Sequence, residues 1–103
     1  MMRGTTPTHT FECDVDLSDA EIIFITYKQS TGHGSENTLE KTIEDITVNG
    51  ETLVVKLTQK ETLLLSSVAD VRIQIRAGFA DGSRIASNII RAPVDEILKD
   101  GEI

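Results

Sequence analysis

Apolar and polar residues alternate with a period of two along most of the chain, in short runs broken by Gly, Asn, Asp and Pro. That is the pattern of strands with one buried face. The first run, Thr8 to Val15, follows Pro7, which has no amide to donate and therefore suits the start or edge of a strand. Asp16-Leu17-Ser18-Asp19 turns the chain into a second strand, Glu21 to Gln29. There Ile22, Phe24 and Thr26 alternate with Ile23, Ile25 and Tyr27, so both faces are apolar. A central strand, or one covered by a partner, accounts for this, and Ile23, Ile25 and Tyr27 become contact candidates. The polar, glycine-rich stretch Thr31 to Asn37 predicts a flexible hairpin loop with His33 at its tip, and Thr38 to Ile43 is the returning strand.

Ile46-Thr47-Val48 and Glu51 to Leu57 flank Asn49-Gly50, a pair suited to a two-residue hairpin turn. That register sets Val48 against Glu51 and Ile46 against Leu53, with Ile46, Leu53, Val55 and Leu57 on one face. Thr58-Gln59-Lys60-Glu61 has the spacing of a capping box and predicts a short helix, Gln59 to Leu65, whose Leu63, Leu64 and Leu65 close one end of the core. Val71 to Phe79 is the cleanest strand, with Val71, Ile73, Ile75, Ala77 and Phe79 inward and Arg72, Gln74 and Arg76 outward. A two-residue turn at Asp81-Gly82 would mix core and solvent positions on one face. A three-residue loop, Ala80-Asp81-Gly82 with Gly82 left-handed, instead pairs Ile73 with Ile89, Ile75 with Ser87 and Ala77 with Ile85.

Pro93 ends the last strand, and residues 94–103 form an acidic tail whose Val94, Ile97 and Leu98 can bury against a neighbour. About seven strands at roughly ten-residue spacing, with one short helix between them, predict a single all-β domain over residues 1–103. Its expected fold is an antiparallel immunoglobulin-like β-sandwich, with residues 1–7 as an amino-terminal arm.

The length of 103 residues fits one core. A formal charge of −7 repels phosphate backbones and anionic lipid headgroups, so neither nucleic acid nor a membrane is the expected partner. Cys13 is the only cysteine, which excludes an intrachain disulfide and suits a reducing cytoplasm; in its alternating run it reads as a small buried strand residue. Residues 1–7 have no apolar stretch behind them and do not resemble a secretory signal.

Candidate chemistry is sparse. Asp14, Asp16, Asp19 and Glu21 lack the central Gly and terminal Glu of a calcium loop and read as a solvated turn. His9 and His33 have no Cys or second His nearby to complete a metal site. No cofactor signature, nucleophile elbow or aromatic platform is present, so no catalytic, metal or cofactor residue is assigned and the chain is expected not to be an enzyme. Arg72, Arg76, Arg84 and Arg91 all fall in the last hairpin, as solubilising residues or as a basic stripe for an acidic partner.

Three stretches carry a resemblance: Arg3 to Phe11, Lys56 to Leu63, and Val71 to Arg76 continued through Ser87-Asn88-Ile89-Ile90. Together and in this order they resemble a family of small structural proteins from the tail and baseplate regions of bacteriophages and prophages of Gram-positive gut bacteria. The resemblance implies a non-enzymatic virion subunit, made in the host cytoplasm, whose partners are other virion proteins in a homo- or hetero-oligomer. A head decoration or neck protein is the nearest variant. A distal-tail adhesin, contacting a host surface ligand through the Thr31 to Asn37 loop, is the alternative. The expected contact residues are Arg3, Thr5 and Pro7 of the arm, Ile23, Ile25 and Tyr27, His33, Arg72 and Arg76, and Ile97 and Leu98 of the tail.

Overall fold

Alternation resolves into two antiparallel sheets in the computed structural model, which describes residues 1–32 and 34–103. One sheet has three strands in the order β1 (Thr8–Glu12), β5 (Thr52–Lys56), β4 (Ile46–Asn49). The other has the order β3 (Ser35–Thr42), β2 (Ala20–Gly32), β6 (Val71–Phe79), with β7 (Arg84–Ala86) and β8 (Ile90–Ala92) end to end along the free side of β6. The chain passes from sheet to sheet after β1, again after β3 through a 3-10 turn (Ile43–Asp45), and again after β5 through a short helix α1 (Gln59–Leu63). This is the expected immunoglobulin-like sandwich, its seventh strand split in two.

One core lies between the sheets. Ile23, Ile25 and Tyr27 of β2, Leu53 and Val55 of β5, and Ile73, Ile75 and Ala77 of β6 form a single buried cluster, closed by Leu17, Leu65 and Val94. Each large member contributes on the order of 1.5–3 kcal/mol by leaving water. Ile23, Ile25 and Tyr27 are therefore core residues and not contact residues. Their phase follows from the pairing of β2 with β6, which sets Ile25 against Ile75 and Tyr27 against Ile73.

The expected loop Ala80-Asp81-Gly82 forms. Phe79 and Ser83 close it, Gly82 adopts φ +91°, and Ala77 faces Ile85. Ser87 then interrupts the ladder: its amide donates to the Ile75 carbonyl and its hydroxyl accepts from the Ile75 amide at 2.9 Å. Beyond this break the register slips by one residue, so Ile73 meets Ile90 and not Ile89. The β4–β5 turn also differs by one position. Asn49 pairs with Thr52, setting Val48 against Leu53 and Ile46 against Val55. The predicted face is kept, and Ile46 and Val48 now each oppose an apolar partner instead of leaving Val48 against Glu51.

Within the expected loop Thr31 to Asn37, residues 31–32 and 35–37 are strand. β2 runs to Gly32 and β3 starts at Ser35, with Gln29 opposite Asn37 and Ser30 opposite Glu36. The inward-facing Gln29 accepts a hydrogen bond from the Asn37 amide group at 2.8 Å, which carries the ladder through a stretch whose polarity suggests a loop. At the other end, β1 stops at Glu12, and the Cys13 and Leu17 amides donate to the carbonyls of Glu51 and Gly50. Cys13 is half-buried against the core.

The capping box is present: Thr58 Oγ1 accepts from the Glu61 amide and Glu61 Oε1 accepts from the Thr58 amide. The helix ends at Leu63. Of the three leucines only Leu65 is buried; Leu64 is exposed and Thr62 takes the inward place, donating to the Thr5 carbonyl.

The amino-terminal segment is not a free arm. Met2 and Asp95 form a parallel bridge, and the Arg3 guanidinium reaches the carbonyls of Leu63 and Leu65 and the Asp100 carboxylate. A Cβ on Gly4 would lie 2.9 Å from Ile97 Cδ1, so glycine lets the two termini pack.

Candidate functional site

Since Ile23, Ile25 and Tyr27 face the core, the alternate residues Ile22, Phe24, Thr26 and Lys28 present the outer face of the five-stranded sheet. Ile22 and Phe24 keep 45% and 36% of their surface exposed. Register then builds rows across the sheet. Lys28 lies opposite Arg72, which lies opposite Arg91. Phe24 lies between Thr42 and Arg76, and Arg76 faces Ala86. Ile22 lies opposite Gly78, which faces Arg84. Five cations thus share one face with two exposed apolar side chains.

Three of these cations are held within the chain. Glu36 lies 3.4 Å from Lys28 and 4.0 Å from Arg72. Arg84 lies across Gly78, donating to the Ser83 carbonyl at 2.9 Å and the Phe79 carbonyl at 3.3 Å; a Cβ on Gly78 would meet it at 2.9 Å. Together Ile22, Phe24, Arg76, Gly78 and Arg84 line a shallow recess of about 150 Å³. Arg76, Arg84 and Arg91 make no ion pair among the described residues.

A larger groove, of about 800 Å³, runs along the seam between the sheets, from β1 and the segment after it to the β7–β8 edge. Phe11, Cys13, Val15, Ile85 and Ile90 line it. Burial, then the charges of Asp14 and Glu51, push the Cys13 thiol above its ordinary range, so it is a poor nucleophile there. Glu12 and Asp14 line the groove, and the hydrogen bonds from the segment after β1 to the β4–β5 turn join residues 12–21, with Asp16, Asp19 and Glu21, to Glu51. Asp16 spends its carboxylate on the Ser18 hydroxyl and amide, the turn role its sequence context suggests. No group of three or more His, Cys, Asp or Glu among the described residues is arranged to hold a metal ion.

Inside one end of the sandwich is a polar pair of pairs. Tyr27 Oη lies 2.7 Å from His9 Nδ1, and Lys41 Nζ lies 2.7 Å from Glu61 Oε1. Tyr27 is fully buried and Lys41 nearly so, which gives them the character of an internal brace.

The expected contact residues thus disperse. Arg3 and Pro7 are tied to the chain itself, Pro7 through its carbonyl to the Leu57 amide, while Thr5 is exposed but bonded to the Met2 carbonyl. Ile97 packs beside Gly4, and Leu98 is fully exposed. His33 lies outside the described residues. Arg72 and Arg76 do come together on the sheet face, and with them Lys28, Arg84, Arg91, Ile22 and Phe24. Parity with the clean strand Val71–Phe79 is the signal that points to Ile22 and Phe24.

No helix among the described residues is long and apolar enough to cross a membrane. No protein-family model, curated protein or solved structure matches this chain.

Proposed function

We propose that this chain is a non-enzymatic structural subunit of a bacteriophage particle, in the tail or baseplate, that acts by protein–protein assembly. The phage setting rests on the resemblance of the three sequence stretches. The assembly role rests on one observation: the outer face of the five-stranded sheet carries exposed Ile22 and Phe24 beside Arg76, Arg84 and Arg91, which make no ion pair among the described residues. Apolar side chains with arginine are the composition of interface cores, where burial supplies affinity and the guanidinium supplies specificity. The adhesin reading has less support, because Thr31, Gly32 and Ser35–Asn37 of its contact segment are strand. In this reading the chain is made in the host cytoplasm and resides in the virion with other virion proteins.

Mass spectrometry of purified phage particles, separated into heads and tails, tests this. The protein is expected in the tail fraction at a fixed ratio to a tail component. Recovery with heads favours the decoration or neck variant, and absence from both fractions defeats the reading.

A further inference from the structure

We propose that the arginine-bearing outer face of the five-stranded sheet is covered by the acidic end of a second copy of this chain, in a head-to-tail contact; this identifies the partner within the assembly reading. Charge distribution carries the argument. The strand positions of the face hold Lys28, Arg72, Arg76, Arg84 and Arg91 against the carboxylates of Glu36 and Glu40, a balance of +3. The other five Lys and Arg stand against fifteen Asp and Glu, a balance of −10. Half of the cations of an acidic protein are therefore gathered beside its exposed Ile22 and Phe24.

A second surface is equally segregated. Residues 12–21 and 46–55 contain Glu12, Asp14, Asp16, Asp19, Glu21 and Glu51 and no Lys or Arg. Hydrogen bonds from Cys13 to Glu51 and from Leu17 to Gly50 hold the two segments together as one surface. Like cannot pair with like: a two-fold contact through the sheet face would set a net +3 on +3, and one through the acidic end would set carboxylate on carboxylate. Each pole finds its complement only on the other surface of another copy. Such a contact is heterologous, so it closes into a ring or continues as a stack, the geometry a tubular or annular particle needs.

The test uses the full chain in solution, with mass measured by light scattering across a concentration series at low and high salt. Oligomers are expected at low salt and monomer at high salt, since exposed pairing of this kind is screened. The double variant Arg72→Glu/Arg76→Glu is expected to lose self-association, as is Asp14→Lys/Asp16→Lys. Because all four positions are at the surface, circular dichroism should report native folding for both. Mixing the two variants at equal amounts is expected to restore the oligomer, since each now carries a pole complementary to the other. Association that ignores salt, or a mixture that stays monomeric, overturns the proposal. A chain that is monomeric alone yet present in tails overturns self-pairing and leaves the assembly reading standing; self-association with absence from particles does the reverse.

Discussion

Gln29 and Ser66 exchange two hydrogen bonds: Gln29 Nε2 donates to the Ser66 carbonyl at 2.9 Å, and the Ser66 amide donates to Gln29 Oε1 at 2.5 Å. The same side chain donates to the Ala69 carbonyl and accepts from Asn37 Nδ2, so all four of its hydrogen-bonding positions are used although none of its surface is exposed. It pins the connection between α1 and β6 to the middle of the sheet. Gln29→Leu fills similar space but orphans two carbonyls, an amide and the Asn37 donor. A loss of about 2–3 kcal/mol is expected in urea unfolding, since each unsatisfied buried group costs on the order of 1–3 kcal/mol and the outer ones regain water. Gln29→Glu replaces the two donations with a charge facing carbonyls and should be no better tolerated at neutral pH.

The capping box at Thr58 and Glu61 supports a helix of five residues, far too short to stand without it. Thr58→Ala removes the acceptor for the Glu61 amide and is expected to lower stability by about 1 kcal/mol. Thr58→Ser keeps the hydroxyl and should unfold at nearly the wild-type urea midpoint. Equal losses in both variants would mean that the threonine methyl, not the cap, carries the effect.

What could be read in advance divides by range of interaction. The capping box, the Ala80-Asp81-Gly82 loop and the inward phase of Val71–Phe79 are local, and side-chain chemistry within a few residues determines each. β2 resisted because both of its faces are apolar: period two cannot choose between Ile22 with Phe24 and Ile23 with Ile25 when either set would bury well. The choice is made across the sheet by Ile73 and Ile75. The termini resisted for a different reason. Met2 and Asp95 pair across nearly the whole sequence, and Arg3 finds carbonyls at Leu63 and Leu65, relations to which no periodicity points. Thr31, Gly32 and Ser35 to Asn37 look like loop by composition and are strand, with the Asn37 side chain bonded to the inward-facing Gln29. The basic face was half visible, since four arginines in one hairpin were plain, but Lys28, Ile22 and Phe24 join them only once the β2 phase is known.

Arg3 acts as a clasp. Its guanidinium reaches two carbonyls at the end of α1 and the Asp100 carboxylate, while its amide donates to the Asp95 carbonyl. Arg3→Ala is expected to cost about 1.5–3 kcal/mol, the range for hydrogen bonds involving a charged group. Amide exchange at Asp95, which donates to the Met1 carbonyl, should accelerate with it. Arg3→Lys should recover little, because a single ammonium cannot bridge both carbonyls and the carboxylate as the planar fork does. Exchange at Asp95 unchanged in Arg3→Ala would show that the backbone bridge alone holds the termini.

Stability should fall on both sides of neutrality, through the pair His9 and Tyr27. Burial, then the nearby amino terminus, hold the His9 imidazole below its ordinary 6.5. The neutral ring leaves Nδ1 free to accept from the Tyr27 hydroxyl. Because the folded value lies below the unfolded one, this contribution is complete above pH 6.5, and it declines as the pH falls below 6.5 toward the folded value, where the unfolded chain binds the proton more readily. Tyr27 has the opposite sign. Burial, then the Glu61 charge, raise its phenol above the ordinary 10.0, so its contribution is complete below pH 10 and is lost above it. Urea midpoints measured from pH 5 to pH 11 should therefore trace a dome. His9→Gln is expected to flatten the slope between about pH 5 and pH 7 that this histidine causes, and Tyr27→Phe to flatten the alkaline limb, whatever either costs at neutral pH. An acid slope between about pH 5 and pH 7 that is unchanged in His9→Gln would overturn this assignment, and Glu61 does not account for a slope there. Burial raises the Glu61 carboxyl, but hydrogen bonds from Lys41 and Thr58 and the Lys41 charge outweigh this and hold it below its usual 4.5, so its contribution disappears only as the pH drops through that more acidic range.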